Sequence, residues 1–218
     1  MDIEIIVTRS TLKNPEKPAF KVGLKAEFVT QISIIVGTKG RGSNMVALAQ
    51  HISADPGFVV HKVIGSKADA PAIHAARELG LKTAIVEFGE PFEQEMAKAL
   101  EGSDWICLAG FLRLLPESIV NKWDHRILNI HPALLPKFGG KGMYGIHVHE
   151  AVIAAGEAES GCTVHYVTKN YDDGDVIRQE RCPVLPDDTP EVLAARVLAL
   201  EHRTYFAALK EVAHRSRY

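Results

Sequence analysis

The 218-residue sequence contains few cysteines, and the three that it has, Cys107, Cys162 and Cys182, stand far apart. Their number is odd and none belongs to a CxxC pair, so the sequence does not indicate a disulfide framework. Reduced thiols in the cytoplasm are the expected state. The sequence also lacks an apolar run of about 20 residues, and the acidic residues 1–7 are unlike a signal peptide. These absences predict a cytoplasmic protein that does not span a membrane.

An excess of charge of either sign is also missing. There are 25 Lys and Arg against 27 Asp and Glu, which gives a formal net charge of −2. This composition does not predict binding of nucleic acid, and any anionic ligand must be bound locally. With 46% hydrophobic residues the chain can form a large core, and one domain at 32–218 is expected. Residues 1–31, which include a Lys- and Pro-containing segment, are interpreted as an N-terminal extension of unknown role.

Short apolar runs alternate with helical patterns along most of the sequence. Strands are predicted at residues 32–36, 59–64, 83–88, 105–109 and 127–130, with helices between them near 45–49, 70–79 and 92–100 and a further helix at 148–155. Uninterrupted apolar strands are typical of a parallel sheet that is covered on both faces. Runs at 163–167 and 176–179 predict a hairpin, and a final helix should begin near Pro190 and end near Arg215. The expected fold class is α/β, with a mostly parallel central sheet, helices on both faces, and a C-terminal hairpin plus helix.

Asn129 and His131 are alternate residues at the end of the strand predicted at 127–130, so their side chains should share one face. Pro132 then ends the strand. An amide and an imidazole held side by side before a loop can bind and protonate an oxygen that gains charge during a reaction. The alternative is that both side chains only cap the loop backbone.

A glycine-rich loop at 37–44 follows the first predicted strand and opens a helix. Its small residues would let backbone N–H groups point at an anion, and the helix N-terminus adds favourable partial charge, so a phosphate could bind. The spacing of Gly37, Gly40 and Gly42 fits neither a Walker loop nor a GxGxxG fingerprint, which disfavours a nucleotide cofactor. The alternative is a tight strand-to-helix turn with Ser43 as N-cap.

A flexible basic loop at 137–145 comes directly after the strand that carries Asn129 and His131. Such loops often close over a substrate, and the lysines could hold a phosphate or carboxylate, or could simply be solvated. His147 and His149 are spaced by two residues, but no HExxH motif or Cys partner accompanies them, so no metal is expected. We interpret His147 as facing the site and His149 as a surface or packing residue.

Three carboxylates are concentrated in the predicted hairpin turn, YDDGD at 171–175. Most of them should be solvated turn formers. A carboxylate placed against an imidazole favours the imidazolium and would raise the pKa of the histidine. Asp172 is the candidate partner of His131 if the fold brings this turn to the end of the strand, and Asp173 is its competitor.

From about residue 32 to residue 212 the sequence resembles the phosphoribosylglycinamide formyltransferase family, folate-dependent enzymes of purine synthesis. The resemblance is carried by GRGSN at 40–44, LAGFLRLL at 108–115, NIHPALLPK at 129–137, GIHVH at 145–149, GCTVHYV at 161–167, YDDG at 171–174 and RVLALEH at 196–202. It implies a Rossmann-like formyltransferase fold, in which 10-formyltetrahydrofolate gives its formyl group to the amine of phosphoribosylglycinamide.

The resemblance also implies a role for individual residues. The positions that match the catalytic trio are Asn129, His131 and Asp172. The amine would attack the formyl carbon, Asn129 and protonated His131 would stabilise the oxyanion, and Asp172 would keep His131 charged and help to relay a proton to the departing folate nitrogen.

Binding residues are implied in the same way. The positions that match the substrate site are Gly42, Ser43 and Asn44 in the phosphate-binding loop, and Leu198 and Glu201, with Glu201 on the ribose. The positions that match the folate site are Leu112, Arg113, Leu114, Leu115, Asn129, Thr168 and Asp172. The expected partners are phosphoribosylglycinamide and the co-substrate 10-formyltetrahydrofolate, without metal, nucleic acid or membrane, and the chain should be a monomer or a homodimer.

Related activities remain as alternatives. A formyltransferase for methionyl-tRNA or an amino sugar would use the same trio, although the tRNA enzyme should carry a further C-terminal domain. Formyltetrahydrofolate hydrolase is another relative, but its usual regulatory N-terminal domain is longer than residues 1–31. A non-catalytic folate-binding module is the alternative from a different class, and the intact Asn, His and Asp set argues against it.

Overall fold

The computed structural model describes residues 29–216, so most of the expected N-terminal extension lies outside the described residues. The elements are β1 (Thr30–Val36), α1 (Ser43–Ser53), β2 (Phe58–Gly65), α2 (Pro71–Glu78), β3 (Thr83–Ile85), α3 (Phe92–Ala99), β4 (Trp105–Ala109), α4 (Glu117–Lys122), β5 (Ile127–His131), α5 (Ile146–Ala154), β6 (Glu159–Tyr166), β7 (Val176–Pro183) and α6 (Pro190–Arg215). Strand β1 includes Thr30 and Gln31, which the sequence assigned to the extension. The Gln31 N–H donates to the Asp104 carboxylate at 2.8 Å.

The strands form one seven-stranded sheet in the order β3-β2-β1-β4-β5-β6-β7. Strands β1 to β5 pair in parallel, and β6 and β7 are added antiparallel. The expected α/β fold class is therefore confirmed. The chain runs outward from β1 in one direction to β3 and then continues from β4 in the other. Ligands of such sheets bind in the crevice at the carboxyl ends of the two strands where the order reverses, which are β1 and β4.

Alternate residues of the central strands pack on opposite faces of the sheet. On β4, Trp105 and Cys107 belong to the core that α1, α2 and α6 cover, whereas Ile106 and Leu108 pack against α3 and α4. All four side chains are at most 5% exposed. Burying a large apolar side chain is worth about 1.5–3 kcal/mol, so both faces of the strand need apolar residues. This explains the uninterrupted apolar runs in the sequence.

Helix α6 holds one wall of the crevice against the sheet. Thr189 caps it by accepting a hydrogen bond from the Val192 N–H, and Pro190 occupies the first turn, as expected. The Tyr205 hydroxyl, buried within the core, lies 2.8 Å from the Leu108 carbonyl and 3.0 Å from the Leu128 carbonyl. It therefore links α6 to β4 and β5. Within residues 29–216, no helix combines the length and apolar content needed to cross a membrane.

Three elements differ from the sequence-based expectation. Strand β3 ends at Ile85 because it is an edge strand that pairs only with the end of β2. Strands β6 and β7 are longer than expected, because polar pairs such as Arg181 and Glu159, 3.1 Å apart, continue the hairpin beyond its apolar part. Helix α4 was missed because only Ile119 and Val120 of its six residues are buried. A single turn and a half leaves too little periodicity to detect.

Candidate active site

A cavity of about 610 Å³ lies where β1, β4 and β5 end. This volume is in the range of small-molecule sites. Its walls come from the first turn of α1, from the loops after β4 and β5, from the turn between β6 and β7, and from α5 and α6. The residues that line it include Asn44, Leu112, Arg113, Leu114, Leu115, Asn129, His131, Gly140, His149, His165, Thr168, Asp172, Leu198 and Glu201.

Asn129, His131 and Asp172 come together in this cavity. Nδ1 of His131 lies 3.5 Å from Oδ2 of Asp172, so the turn between β6 and β7 does reach the end of β5. A Cβ atom on Gly139 would lie 3.2 Å from Cβ of Asp172, which shows how closely the loop after β5 packs on this turn. Asp173 is exposed, and its carboxylate accepts a hydrogen bond from the Asn170 amide at 3.0 Å. Asp172 is therefore the carboxylate beside His131.

His131 is 3% exposed, and acceptors face both of its ring nitrogens. Nε2 donates to the Phe138 carbonyl at 2.7 Å, so a second proton would sit on Nδ1, towards Asp172. Burial lowers the pKa of His131, and the Asp172 carboxylate only partly opposes this. The expected rise of this pKa is therefore wrong in direction. The expectation counted the carboxylate but not the loss of water around the ring.

The Asp172 carboxyl is ionised in this setting. Burial raises its pKa, but the positive charge that His131 can carry and the Gly140 N–H lower the pKa, and the net shift is downward. The Gly140 N–H donates to Oδ2 at 2.9 Å. The negative charge of Asp172 therefore favours a proton on Nδ1 of His131.

A polar corner lies on the α6 side of the cavity. Asn44 Nδ2 donates to Glu201 Oε2 at 2.8 Å, and Leu198 lies one turn before Glu201. Burial raises the pKa of Glu201 to about 7, against the opposing effect of the Asn44 hydrogen bond. Within the described residues, Oδ1 of Asn44 is enclosed and has no hydrogen-bond partner. The corner therefore has hydrogen-bonding capacity that the described side chains leave unused.

The glycine loop does not end in the Ser43 cap that one of the two alternatives predicted. Gly42 is the N-cap of α1 with φ +82°, and no side chain caps the helix, so the interpretation of Ser43 as N-cap is wrong. A Cβ atom on Gly42 would lie 2.8 Å from Cβ of Ala72, so packing against α2 also requires glycine. Asn44 lines the cavity, whereas Gly42 and Ser43 are not among its lining residues. A helix leaves its first N–H groups without intrahelical partners, and here that end borders the cavity.

An apolar wall of the cavity comes mainly from the loop after β4. Leu112, Leu114, Leu115 and Thr168 all line it, and Leu112 and Leu114 are 54% and 43% exposed. Large apolar side chains exposed beside a cavity are typical of a surface that a ligand covers. The Arg113 guanidinium stacks on the Phe88 ring, 3.8 Å from its centre, and places a cation at the edge of this wall.

Sequence reasoning did not include His165 in the site. The residue is 2% exposed, lines the cavity and lies directly opposite Asn129 in the β5–β6 pair. Directly opposed residues of an antiparallel pair project to the same face. The position of His165 opposite Asn129 could be recognised only once the register of the two strands was known.

The two histidines of α5 differ in part from expectation. His147 is exposed, with Nδ1 3.0 Å from Glu150 Oε2, so its interpretation as site-facing is wrong. His149 is 4% exposed and lines the cavity. Because α5 begins at Ile146, the two residues point to different sides of its first turn. Among residues 29–216 no group of three His, Cys, Asp or Glu side chains is arranged to hold a metal ion.

Comparisons with known proteins cover the same part of the chain. Phosphoribosylglycinamide formyltransferase, chloroplastic, of Arabidopsis thaliana is 40% identical over 183 residues, 79% of this chain and 62% of that protein, so the chain spans less than two thirds of this relative. Phosphoribosylglycinamide formyltransferase of Escherichia coli (strain K12) is 34% identical over 182 residues, 80% of this chain and 84% of that protein.

Solved structures agree. The crystal structure of phosphoribosylglycinamide formyltransferase from Anaplasma phagocytophilum has a TM-score of 0.77 at 37% identity, over 85% of this chain and 88% of that chain. The model of the formyl transferase family matches residues 32–209. This range includes every residue that lines the cavity, from Asn44 on α1 to Glu201 on α6. Fold, cavity and sequence therefore agree that the chain belongs to the formyl transferase family.

Proposed function

We propose that this protein transfers the formyl group of 10-formyltetrahydrofolate to the amine of 5′-phosphoribosylglycinamide, a step of purine biosynthesis. The observation that carries the proposal is the meeting of Asn129, His131 and Asp172 in one cavity, between a polar corner and an apolar wall. Relatives that bear the name of this activity support it. The three cysteines are free and buried, in keeping with the reducing cytoplasm that we propose as its location.

The polar corner is assigned to phosphoribosylglycinamide. The phosphate would bind at the start of α1, on the N–H groups of Gly42, Ser43 and Asn44, where the helix adds positive partial charge. The ribose hydroxyls would donate to the Glu201 carboxylate, with Leu198 packing beside them. The amine of the substrate then points towards the end of β5.

The apolar wall is assigned to the reduced folate. The flat ring system would pack against Leu112, Leu114 and Leu115, with Thr168 and Arg113 at the rim of the site. Its formyl group would then lie against Asn129 and Asp172. Both substrates therefore meet over His131.

The chemistry needs one new bond, one broken bond and one proton transfer. The uncharged amine attacks the formyl carbon, and the Asn129 amide donates a hydrogen bond to the oxygen that becomes negative. Protonated His131 adds positive charge nearby. The carbon–nitrogen bond to the folate then breaks, the amine loses a proton, and the departing folate nitrogen gains one through His131 and Asp172.

A substrate-dependence assay tests the proposal. Purified protein should convert 10-formyltetrahydrofolate to tetrahydrofolate only when phosphoribosylglycinamide is present, with one formyl group appearing on the amine for each folate consumed. Folate turnover without an acceptor would indicate a hydrolase, and turnover only with an amino sugar would indicate a related transferase. Binding of folate without any turnover would contradict an enzymatic role.

Glu201 offers a test of the substrate assignment. Its pKa of about 7 means that the carboxylate is largely ionised above neutral pH and protonated below it. The ionised group accepts hydrogen bonds from the ribose hydroxyls more strongly than the protonated acid does, so KM for phosphoribosylglycinamide should rise as the pH falls from 8 to 6. Glu201→Gln should raise this KM by about tenfold, the typical worth of one charged hydrogen bond, and should remove the pH dependence.

The control for this variant is Glu211→Gln, on the outer part of the same helix, where Glu211 pairs with Arg215 at 2.7 Å. It should keep the KM values of the wild type at every pH. An unchanged pH dependence in Glu201→Gln would assign that titration to another group and would contradict the ribose assignment.

A further inference from the structure

His165 touches two members of the proposed catalytic trio, yet the proposed reaction gives it no part. Its Nε2 lies 3.2 Å from Nδ2 of Asn129 and 3.6 Å from Oδ1 of Asp172. The ring is 2% exposed, and its partner across the β5–β6 pair is Asn129. A buried imidazole at this position must have a defined protonation state, because each state allows a different set of partners.

The other ring nitrogen decides which tautomer is present. Nδ1 of His165 lies 2.8 Å from the backbone carbonyl of Tyr166, and a carbonyl can only accept, so Nδ1 carries a proton. Two contacts with the hairpin turn hold this carbonyl in place. The Tyr166 N–H donates to the Asp175 carbonyl at 3.0 Å, and a Cβ atom on Gly174 would lie 1.8 Å from the Tyr166 oxygen. The glycine of the hairpin turn is therefore needed for close approach to the carbonyl that sets the tautomer.

We infer that His165 is a positioning residue for Asn129. It is neutral, with its proton on Nδ1, and its free Nε2 accepts one N–H of the Asn129 amide. The second N–H of that amide then faces the cavity, where the proposed function places the formyl oxygen. Without an acceptor at Nε2, the amide can turn over and present its carbonyl, which would repel the oxyanion instead of stabilising it.

A doubly protonated His165 is the competing arrangement. It would donate Nε2–H to Asp172 and could not accept the amide N–H of Asn129. The distance of 3.6 Å to Asp172 is longer than a hydrogen bond, whereas the 3.2 Å to Asn129 is within the normal range. The geometry therefore favours the neutral ring.

Activity measurements test the positioning role with two variants and a matched control. The Asn side chain in His165→Asn is too short to place an acceptor at the position of Nε2. This variant should lower kcat by about tenfold, which is less than the loss expected when an oxyanion donor is removed altogether. Both KM values should stay within about threefold of the wild type. His165→Gln can place an acceptor oxygen near the position of Nε2 and should recover part of the lost kcat. His74→Asn, at an exposed site on α2, should behave as the wild type. A rise in KM at unchanged kcat would show a binding residue and overturn the inference.

A spectroscopic test does not depend on the substrates. In wild-type protein with ¹⁵N-labelled histidine, the His165 signals should show a protonated Nδ1 and an unprotonated Nε2 at pH 7, and Asn129→Ala should shift the Nε2 signal. A doubly protonated ring would overturn the inference even if formyl transfer is normal. If formyl transfer to phosphoribosylglycinamide is absent, the proposed function fails, and the tautomer is still decided by these signals.

Discussion

Replacing His131 with alanine is expected to lower kcat by on the order of 10³-fold, within the range for general acid–base groups. His131 is buried between the Asp172 carboxylate and the Phe138 carbonyl, and alanine supplies no group that can take over its proton transfer. In the proposed reaction its proton acts in the transition state and does not bind either substrate. The KM values of both substrates should therefore change by less than about threefold, since the lost interaction belongs to the transition state.

Steady-state formyl transfer with each substrate varied in turn measures this effect. Alanine also removes the hydrogen bond to Phe138, so His131→Gln is the companion variant: glutamine can donate to that carbonyl but cannot act as an acid near neutral pH. Both variants should be slow. His74→Ala, on the exposed side of α2, is the control and should keep wild-type rates. Recovery of activity in His131→Gln would show that the residue only holds the loop.

The fold could be predicted from the sequence where the pattern of apolar residues indicates which side chains are buried. Strand β4 is apolar on both faces, and this pattern is typical of a parallel sheet that helices cover on both sides. The ends of the hairpin could not be predicted in the same way. There the strand is stabilised by pairing and by cross-strand ions such as Arg181 and Glu159, and charged residues also suit loops.

The site could be predicted in part. Asn129 and His131 are two residues apart on one strand, so their common face follows from strand geometry alone. Asp172 needed the resemblance to a family, because it stands far from His131 in the sequence and meets it only in the folded sheet. His165 depends on the register between β5 and β6, which no local pattern discloses.

Protonation was the least predictable property. The sequence shows which charges could lie near His131, and from Asp172 alone a raised pKa followed. In the structure burial outweighs that charge and lowers the pKa. The same effect raises the pKa of Glu201 to about 7, although its sequence neighbours give no sign of it. Desolvation depends on everything packed around a group, and it exists only after folding.

Replacing Asp172 with asparagine is expected to lower kcat by on the order of 10²-fold through the protonation of His131. Asparagine is the suitable substitution because Asp172 has φ +52°, a left-handed conformation that Asn tolerates well. Its side-chain oxygen can still accept from the Gly140 N–H. The variant therefore removes the negative charge and leaves the backbone and this hydrogen bond in place.

The charge is what partly offsets the effect of burial on His131, so its removal should lower the pKa of His131 further. At a given pH a smaller fraction of the rings then carries the second proton on Nδ1. An NMR titration of His131 should show its midpoint moving to lower pH in Asp172→Asn, together with the loss of kcat. Asp173→Asn is the matched control: it is adjacent and exposed, and neither quantity should change. If kcat falls while the His131 midpoint stays, Asp172 acts directly in moving the proton from the amine, and its effect on the charge of His131 is not the cause.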